Sequence, residues 1–395
     1  MKILMLTPYL PFPLLSGGQI RSYNLLKNLS QKHYITLVSL IKHESDKQYI
    51  QNISPFCKKV IVSKRPEKPW TLKNILKTGL GVHPFLVVRN FSSEAKQAVI
   101  NELNQEQFDL IHAETFYVMP HIPKTLVPIL LVEQTIEHLV YQHFVDTMKM
   151  WPLRALFSVD VFKIRFWEEY YWKQAKRVVA MSEPDKKVMQ LQVPNLHVSI
   201  VPNGVDDEFF QFEKKSISRS PKVLFVGNFK WLQNREAVKK LVKEIWPKIA
   251  KQLPQAHLWI VGKYPTPEIE AYKSDRINIS ANVADIREAY ENSDALLAPI
   301  YGPGGTRYKI LEAMACGIPV VTTPYGIEGL GVTSGQEGLI YTESVDLAQA
   351  TVQVLTNLKL YQQLAVEANK LVRQTYSWGK IGLLLDQLYE EVAHE

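Results

Sequence analysis

At 395 residues the chain exceeds what one ordinary core fills, so two domains are the first expectation. Its 46% hydrophobic and 22% charged content is that of a soluble globular protein, and two cysteines, Cys57 and Cys316, exclude a disulfide framework and suit a reducing cytosol. The net charge of +7 fits an anionic substrate, an acidic membrane surface or nucleic acid; no nucleic-acid module signature is present, and no His/Cys cluster has zinc-like spacing.

Residues 1–15 are apolar but broken by Pro8, Pro11 and Pro13, with no small-residue cleavage site, so they read as a first strand (2–7) and not a signal peptide. No run of about 18 apolar residues follows, so no membrane span is expected. Ser16-Gly17-Gly18 leads into a helical pattern over 19–32, apolar at 20, 25, 26 and 29, and then a strand over 34–40. Gly17 and Gly18 either let a ligand approach the backbone or make a tight turn. A strand near 60–63 and a helix over 93–104 come next.

Strand 108–112 ends in His112-Ala113-Glu114, and strand 127–132 ends in Glu133, Gln134 and, further on, Glu137 and His138. Residues just past strand ends line the ligand crevice of an open α/β sheet. His112, Glu114, Glu133 and Glu137 are therefore candidates for acid/base or sugar-binding work, or for structural roles. Residues 141–177 are dense in aromatic and basic side chains, which suits either a membrane interface or a helix packed on the sheet.

A strand over 177–181, a helix start at 182–185 and a strand over 197–201 complete the first half. The polar stretch 211–221 lacks periodicity and marks the domain boundary. A second series follows, with strands at 222–226, 257–261, 277–280, 294–300 and 318–322. Helices are expected at 235–251, 284–292, 307–316, 346–357, 360–375 and 379–393.

The most informative stretch is 294–323, a strand, a glycine loop (Gly302-Pro303-Gly304-Gly305), a helix and a strand. Thr306 is the expected N-cap, and Gly317 with Pro319 stops the helix. A glycine loop before a helix presents bare N–H groups and a positive dipole end to a phosphate. Arg307 and Lys309 add two full charges: arginine can fork two bonds to one phosphate, whereas lysine acts as a point charge. Glu312, one turn past Lys309, suits sugar hydroxyls. The same residues also fit an ordinary surface helix.

These segments together resemble a family-four glycosyltransferase of the GT-B fold over essentially the whole length. SGGQIRSYNLLKNL, MSEPDKKVM, VPNGVDDEFF, VGNFKWLQNREAV, WIVG and GPGGTRYKILEAMACGIPVVTT carry it in order. The resemblance implies an α/β chain of two Rossmann-like doubly wound domains facing a central cleft. Residues 1–210 would take the acceptor, 211–221 would link, 222–377 would bind the nucleotide sugar, and 378–395 would return to the first domain.

The activity implied is a retaining, metal-independent, hexosyltransferase-type transfer from a UDP-, GDP- or ADP-sugar, with no cofactor. The acceptor would be a glycan or lipid-linked molecule of cell-surface polysaccharide synthesis. The enzyme would be cytoplasmic, or peripheral at the inner face of the plasma membrane.

Carried over by position, Glu312 matches the second Glu of the family's Glu-x7-Glu motif and Gly304 occupies the place of the first. The branch with a GGTRxKxLEA string fits better, with Gly304, Gly305, Thr306, Arg307, Lys309, Ile310 and Glu312 around the donor. Gly17, Gly18, Gly227, Asn228 and Asn234 join them. Gln134 stands where many members place a histidine, leaving His112, Glu114 and Glu133 as acceptor-side catalytic candidates beside Arg307 and Lys309.

Two rivals follow from the residues. The missing first Glu and missing histidine admit a catalytically inactive scaffold subunit of polysaccharide assembly. A nicotinamide dehydrogenase is disfavoured because residues 4–18 contain no GxGxxG opening a helix.

Overall fold

A computed structural model describes residues 1–211, 216–281, 283–302 and 307–395. The expected cap Thr306 and the loop glycines Gly304 and Gly305 lie outside these residues. The chain divides into two compact units, Met1–Asn203 with Trp378–Glu395, and Gly204–Ser377. The division falls ahead of the polar 211–221 stretch. Phe209 and Phe210 explain the difference, because both are buried in a core of the second unit with Leu296, Ala313 and Val372.

The first unit is a seven-stranded sheet in the order β3-β2-β1-β4-β5-β6-β7. Its strands are β1 (Lys2–Thr7), β2 (Tyr34–Ile41), β3 (Lys59–Lys64), β4 (Leu110–Glu114), β5 (Ile129–Val132), β6 (Arg177–Ala180) and β7 (Val198–Ile200). Every pairing is parallel. Helices must cover both faces of such a sheet, so its central strands are continuous apolar runs, as in Ile3–Leu6.

The second unit repeats the plan in six parallel strands, β10-β9-β8-β11-β12-β13. They are β8 (Lys222–Asn228), β9 (His257–Lys263), β10 (Ile277–Ala281), β11 (Ala295–Ala298), β12 (Val320–Thr322) and β13 (Leu339–Ile340). In each sheet the order reverses beside the first strand, at β1/β4 and at β8/β11, where doubly wound folds bind ligands. The two-residue β13 was not expected, being too short for any period to register.

Several boundaries shift for local reasons. The first helix starts at Gly17, because the Ser16 side chain accepts from the Gln19 amide and caps it. The helix expected at 235–251 starts at Leu232, three residues earlier. It passes through a π-turn, Leu241–Ile245, before Trp246–Gln252, whose first turn holds Pro247. Aromatic residues 141–177 form two helices, Glu137–Asp146 and Trp151–Gln174.

The last helix, Trp378–His394, packs on Gly17–Leu29 in the first unit. Its Asp386 contacts His33 at 2.9 Å and Lys32 at 2.5 Å. A Cβ on Gly382 would stand 2.8 Å from the Asn28 Cβ, so only glycine permits this crossing.

Between β8 and β9 the approach is closer still: a Cβ on Gly262 would lie 1.7 Å from the Gly227 carbonyl oxygen. Backbone cannot yield as a side-chain tip does. We expect Gly262→Ala to destabilise the chain by about 1–3 kcal/mol, read as a lower Cm in urea. A Cm equal to that of the parent would contradict the packing described.

Candidate functional site

The second unit gathers its polar residues where β8 and β11 end. Asn234, in the first turn of the Leu232–Lys240 helix, donates from Nδ2 to the Asn228 carbonyl oxygen at 2.8 Å. Its Oδ1 accepts from Lys309 Nζ at 2.7 Å. The ammonium also stands 4.4 Å from the centre of the Phe225 ring, a cation–π contact. Gly227 leaves room for this arrangement, since a Cβ there would meet Asn234 Cγ at 3.0 Å and Phe225 at 3.1 Å.

Lys309 as a residue is half-buried, and its ammonium lies against Asn234 and the Phe225 ring. Burial first, and then the charge of Arg307, bring its pKa down to about 7, with Glu312 opposing. Glu312 is turned elsewhere: its Oε2 accepts from the Tyr290 hydroxyl at 2.7 Å. Burial lifts its carboxyl above the usual range, against the hydroxyl bond and the Lys309 charge. Arg307 donates from Nη2 to the Gly302 carbonyl at 2.8 Å and stands at the N-cap of the Tyr308–Ala315 helix. Ile310 is fully buried and anchors that helix.

Gly227, Asn228, Asn234, Arg307, Lys309, Ile310 and Glu312 thus belong to one neighbourhood of the second unit. Phe225 and Tyr290 complete it and were missed by the sequence reading. Phe225 looks like any strand residue, and Tyr290 like the apolar face of a short helix.

In the first unit the expectations need correction. His112 and Glu114 are wholly buried and point into one polar chain instead of toward solvent. His112 Nδ1 contacts the Tyr389 hydroxyl, and its Nε2 is 3.0 Å from Glu114 Oε1. Glu114 Oε2 accepts from Gln134 Nε2 at 2.5 Å, and the Tyr9 hydroxyl donates to Gln134 Oε1 at 3.1 Å. Burial pushes the Glu114 carboxyl up, but the His112 bond and charge prevail and hold it below the ordinary value.

Gly18 belongs to the same cluster: its absent Cβ would fall 2.0 Å from the Tyr9 hydroxyl. Close packing, not a turn, explains that glycine. Gly17 opens the same helix. Tyr9 and Gln134, both partly exposed, form the outward end of the chain.

Glu133 is likewise sealed, with Oε1 accepting from Trp172 Nε1 at 3.0 Å. Burial, reinforced by Glu168, raises its carboxyl well above the usual range. Glu168 caps the Glu137–Asp146 helix from outside, accepting from the Glu137 amide at 2.7 Å and the His138 amide at 3.1 Å. Burial and then Glu168 push Glu137 up to about 8. These strand-end acids serve the interior, because the covering helices supply their partners. Among the described residues no group of three or more His, Cys, Asp or Glu is arranged to hold a metal ion.

Comparison with known proteins agrees with this architecture. Residues 15–209 match the glycosyltransferase family 4 model, and residues 220–357 match that of group 1 glycosyl transferases. The fold is that of sucrose-phosphate synthase from Thermosynechococcus elongatus, covering 99% of both chains at a TM-score of 0.74 and 19% identity. It is also that of Anabaena HepE, solved with UDP and glucose, over 99% of this chain and 100% of that one (TM-score 0.67, 15% identity). The lipopolysaccharide core biosynthesis mannosyltransferase LpsB of Rhizobium meliloti is 28% identical over 214 residues, 49% of this chain and 59% of that protein. The architecture is therefore GT-B. Between them the matches place the chain among glycosyltransferases of the family-four type, and its activity is glycosyl transfer.

The buried polar chain generates a stability prediction. Tyr389→Phe removes the partner of His112 Nδ1 in the interior, which costs about 1–3 kcal/mol. Chemical denaturation of the purified chain measures it, and a loss under about 0.5 kcal/mol would mean that the contact contributes little.

Proposed function

We propose that the chain moves a hexose from a nucleoside-diphosphate sugar to a glycan or lipid-linked acceptor of cell-surface polysaccharide synthesis. Transfer retains the anomeric configuration, and protein cations take the place of a bound metal. The observation that carries this reading is the Lys309 ammonium, enclosed between the neutral groups of Asn234 and Phe225 beside Arg307. A desolvated cation that makes no ion pair among the described residues is a receptor for an anion.

When the anomeric C–O bond breaks, the electron pair stays on the departing diphosphate. Arg307 and Lys309 oppose that growing charge, and fixed cations in a partly dry site act more strongly than solvent would. Glu312, steadied by Tyr290, takes the ribose hydroxyls. Gly227, Asn228 and Asn234 shape the floor, while Gly304, Gly305 and Thr306 are assigned from sequence alone. HepE with its UDP and glucose supports the donor class, and LpsB supports the acceptor class. His112, Glu114 and Glu133 act by positioning: His112 and Glu114 through Gln134 and Tyr9, and Glu133 through Trp172, they stiffen the carboxyl edge of β1, β4 and β5.

A thermal-shift panel of UDP, GDP, ADP and their sugars tests the reading, since a ligand that binds only the folded state raises Tm. One nucleotide base should raise Tm at concentrations where the others do not. Arg307→Ala and Glu312→Ala should each lower turnover about tenfold or more with Tm preserved. Near-parental rates in both would refute the assignment.

The pKa of Lys309 adds a pH test. Above about 7 the free amine is largely neutral and must take up a proton to face a diphosphate. Donor affinity should therefore weaken by about tenfold per pH unit above that point and level off below it. Titration of a nucleotide sugar against Lys309→Arg checks the cause, because an arginine stays charged throughout and the slope should vanish.

A further inference from the structure

The first unit holds two arginines whose charges its fold leaves uncompensated. Arg65 directly follows β3, and its amide donates to the Ile41 carbonyl at the end of β2 at 3.0 Å. Arg89 stands in the last turn of the Phe85–Asn90 helix. Both are half-buried, and among the described residues neither makes an ion pair. The Nε of each is shielded from solvent and has no hydrogen-bond partner. Arg65 Nη1 donates to Asn90 Oδ1 at 2.7 Å, and Asn90 Nδ2 donates to Leu86 O at 2.8 Å. One edge of the Arg65 guanidinium is thereby tied to the helix that carries Arg89.

The two cations face one another. Burial first, and then the charge of Arg89, pulls the Arg65 pKa below the ordinary arginine value, with Tyr117 and Asp46 opposing. Asp46 is already engaged, since its Oδ2 accepts from the Lys42 amide at 3.1 Å and the His43 amide at 2.9 Å. The charge of Arg89 is felt by Tyr117, Tyr141 and two acids, Glu137 and Asp160. Asp160 accepts from the Phe85 amide at 2.9 Å. Glu137, pushed up to about 8, is mostly protonated at neutral pH and brings little negative charge. Desolvated like charges without a counter-ion are costly, and they persist where a ligand supplies the missing anion.

Their place in the fold suits a ligand. Arg65, Tyr117 and Glu137 lie just beyond the carboxyl ends of β3, β4 and β5, the edge at which doubly wound sheets bind. Tyr117 neighbours Tyr9, the outward end of the buried polar chain. The donors select the anion. Each guanidinium forks two parallel bonds to a pair of oxygens. A carboxylate has only two oxygens and fills one fork, whereas a terminal phosphate offers three and can serve both. Its double negative charge also matches two arginines.

We propose that Arg65 and Arg89 form an oxoanion site of the first unit and hold a phosphate group borne by the acceptor. The proposal rests on the reading that this unit takes the acceptor, and it adds the chemical class that the acceptor must carry. Bound phosphate separates the two guanidinium charges and occupies the N–H groups that the protein leaves unpaired.

Isothermal titration of the full chain with inorganic phosphate tests it. The parent should bind at two places, one lost in Lys309→Ala and the other weakened about tenfold or more by Arg89→Gln. Arg89→Gln should leave Tm unchanged or raise it, because it removes a cation facing Arg65. Arg89→Lys keeps the charge but not the fork, guards against misfolding, and should give an intermediate affinity. If Arg89→Gln and Arg89→Lys, each made in the Lys309→Ala chain, leave phosphate affinity unchanged, the proposal is overturned. Arg89-dependent binding of glucose 6-phosphate points to a phosphorylated glycan, and that of farnesyl diphosphate to a lipid-linked acceptor; either supports the site. Glucuronate binding more tightly than phosphate assigns the arginines to a carboxylate and overturns it. Nucleotide-induced Tm shifts report the second unit and should be equal in parent and Arg89→Gln, so failure here and failure of the donor reading are told apart.

Discussion

An enclosed ammonium sets the terms for the second unit. Burying the end of Lys309 costs free energy that Asn234 Oδ1 at 2.7 Å and the Phe225 ring at 4.4 Å only partly offset. The surrounding sequence is shaped around that charge. Gly227 leaves space for Asn234 and Phe225, and Asn234 ties the β8 loop to the lysine through Asn228. Glu312, whose charge opposes the drop in the Lys309 pKa, is bonded to the Tyr290 hydroxyl. Together these contacts hold the positive charge at the carboxyl end of β8. Sequences tolerate such arrangements at sites that bind anions.

The first unit solves a different problem with similar residues. Tyr9, Gln134, Glu114, His112 and Tyr389 form a polar chain with bonds at nearly every step through the interior. Low dielectric strengthens each link while making any missing partner expensive. Such a chain fixes the seat of the Trp378–His394 helix against β4 more narrowly than apolar packing does. Gly18 and Gly382 are the steric conditions for that seat. The acids past β4 and β5 are thereby committed to structure, leaving Tyr9 and Gln134 as the parts of the chain that reach the surface.

Much of this was legible in the sequence and some was not, for identifiable reasons. Parallel sheets announce themselves through unbroken apolar runs between glycine loops, so the positions of most strands and the doubly wound class of both units followed from pattern, whereas the strand order came from the structure. Arg307, Lys309 and Glu312 stood out because a helix start carrying cations contradicts the dipole preference for anions. Asn234 emerged only from resemblance. Phe225 and Tyr290 gave no signal, since their roles depend on which side chain lies opposite, and spacing along one element does not contain that. His112, Glu114 and Glu133 misled for the complementary reason. A strand end faces a ligand crevice only if no later element covers it, and here Tyr389, 277 residues beyond His112, does so.

The basic excess of the chain also separates into two physically different kinds of charge. Lys309 is desolvated and beside Arg307, so its field is little screened by salt and acts over a few ångströms on a single ligand. Lys68, Lys73, Lys77 and Lys149 are solvated, and their attraction fades beyond a Debye length of about 10 Å at moderate salt. The first kind suits a small, tightly held dianion. The second needs an extended anionic surface, because only many phosphates at once make screened contacts add up. A pI near 9 alone could not distinguish them. Burial does: the lysine of the second unit is enclosed, and the four of the first unit are exposed.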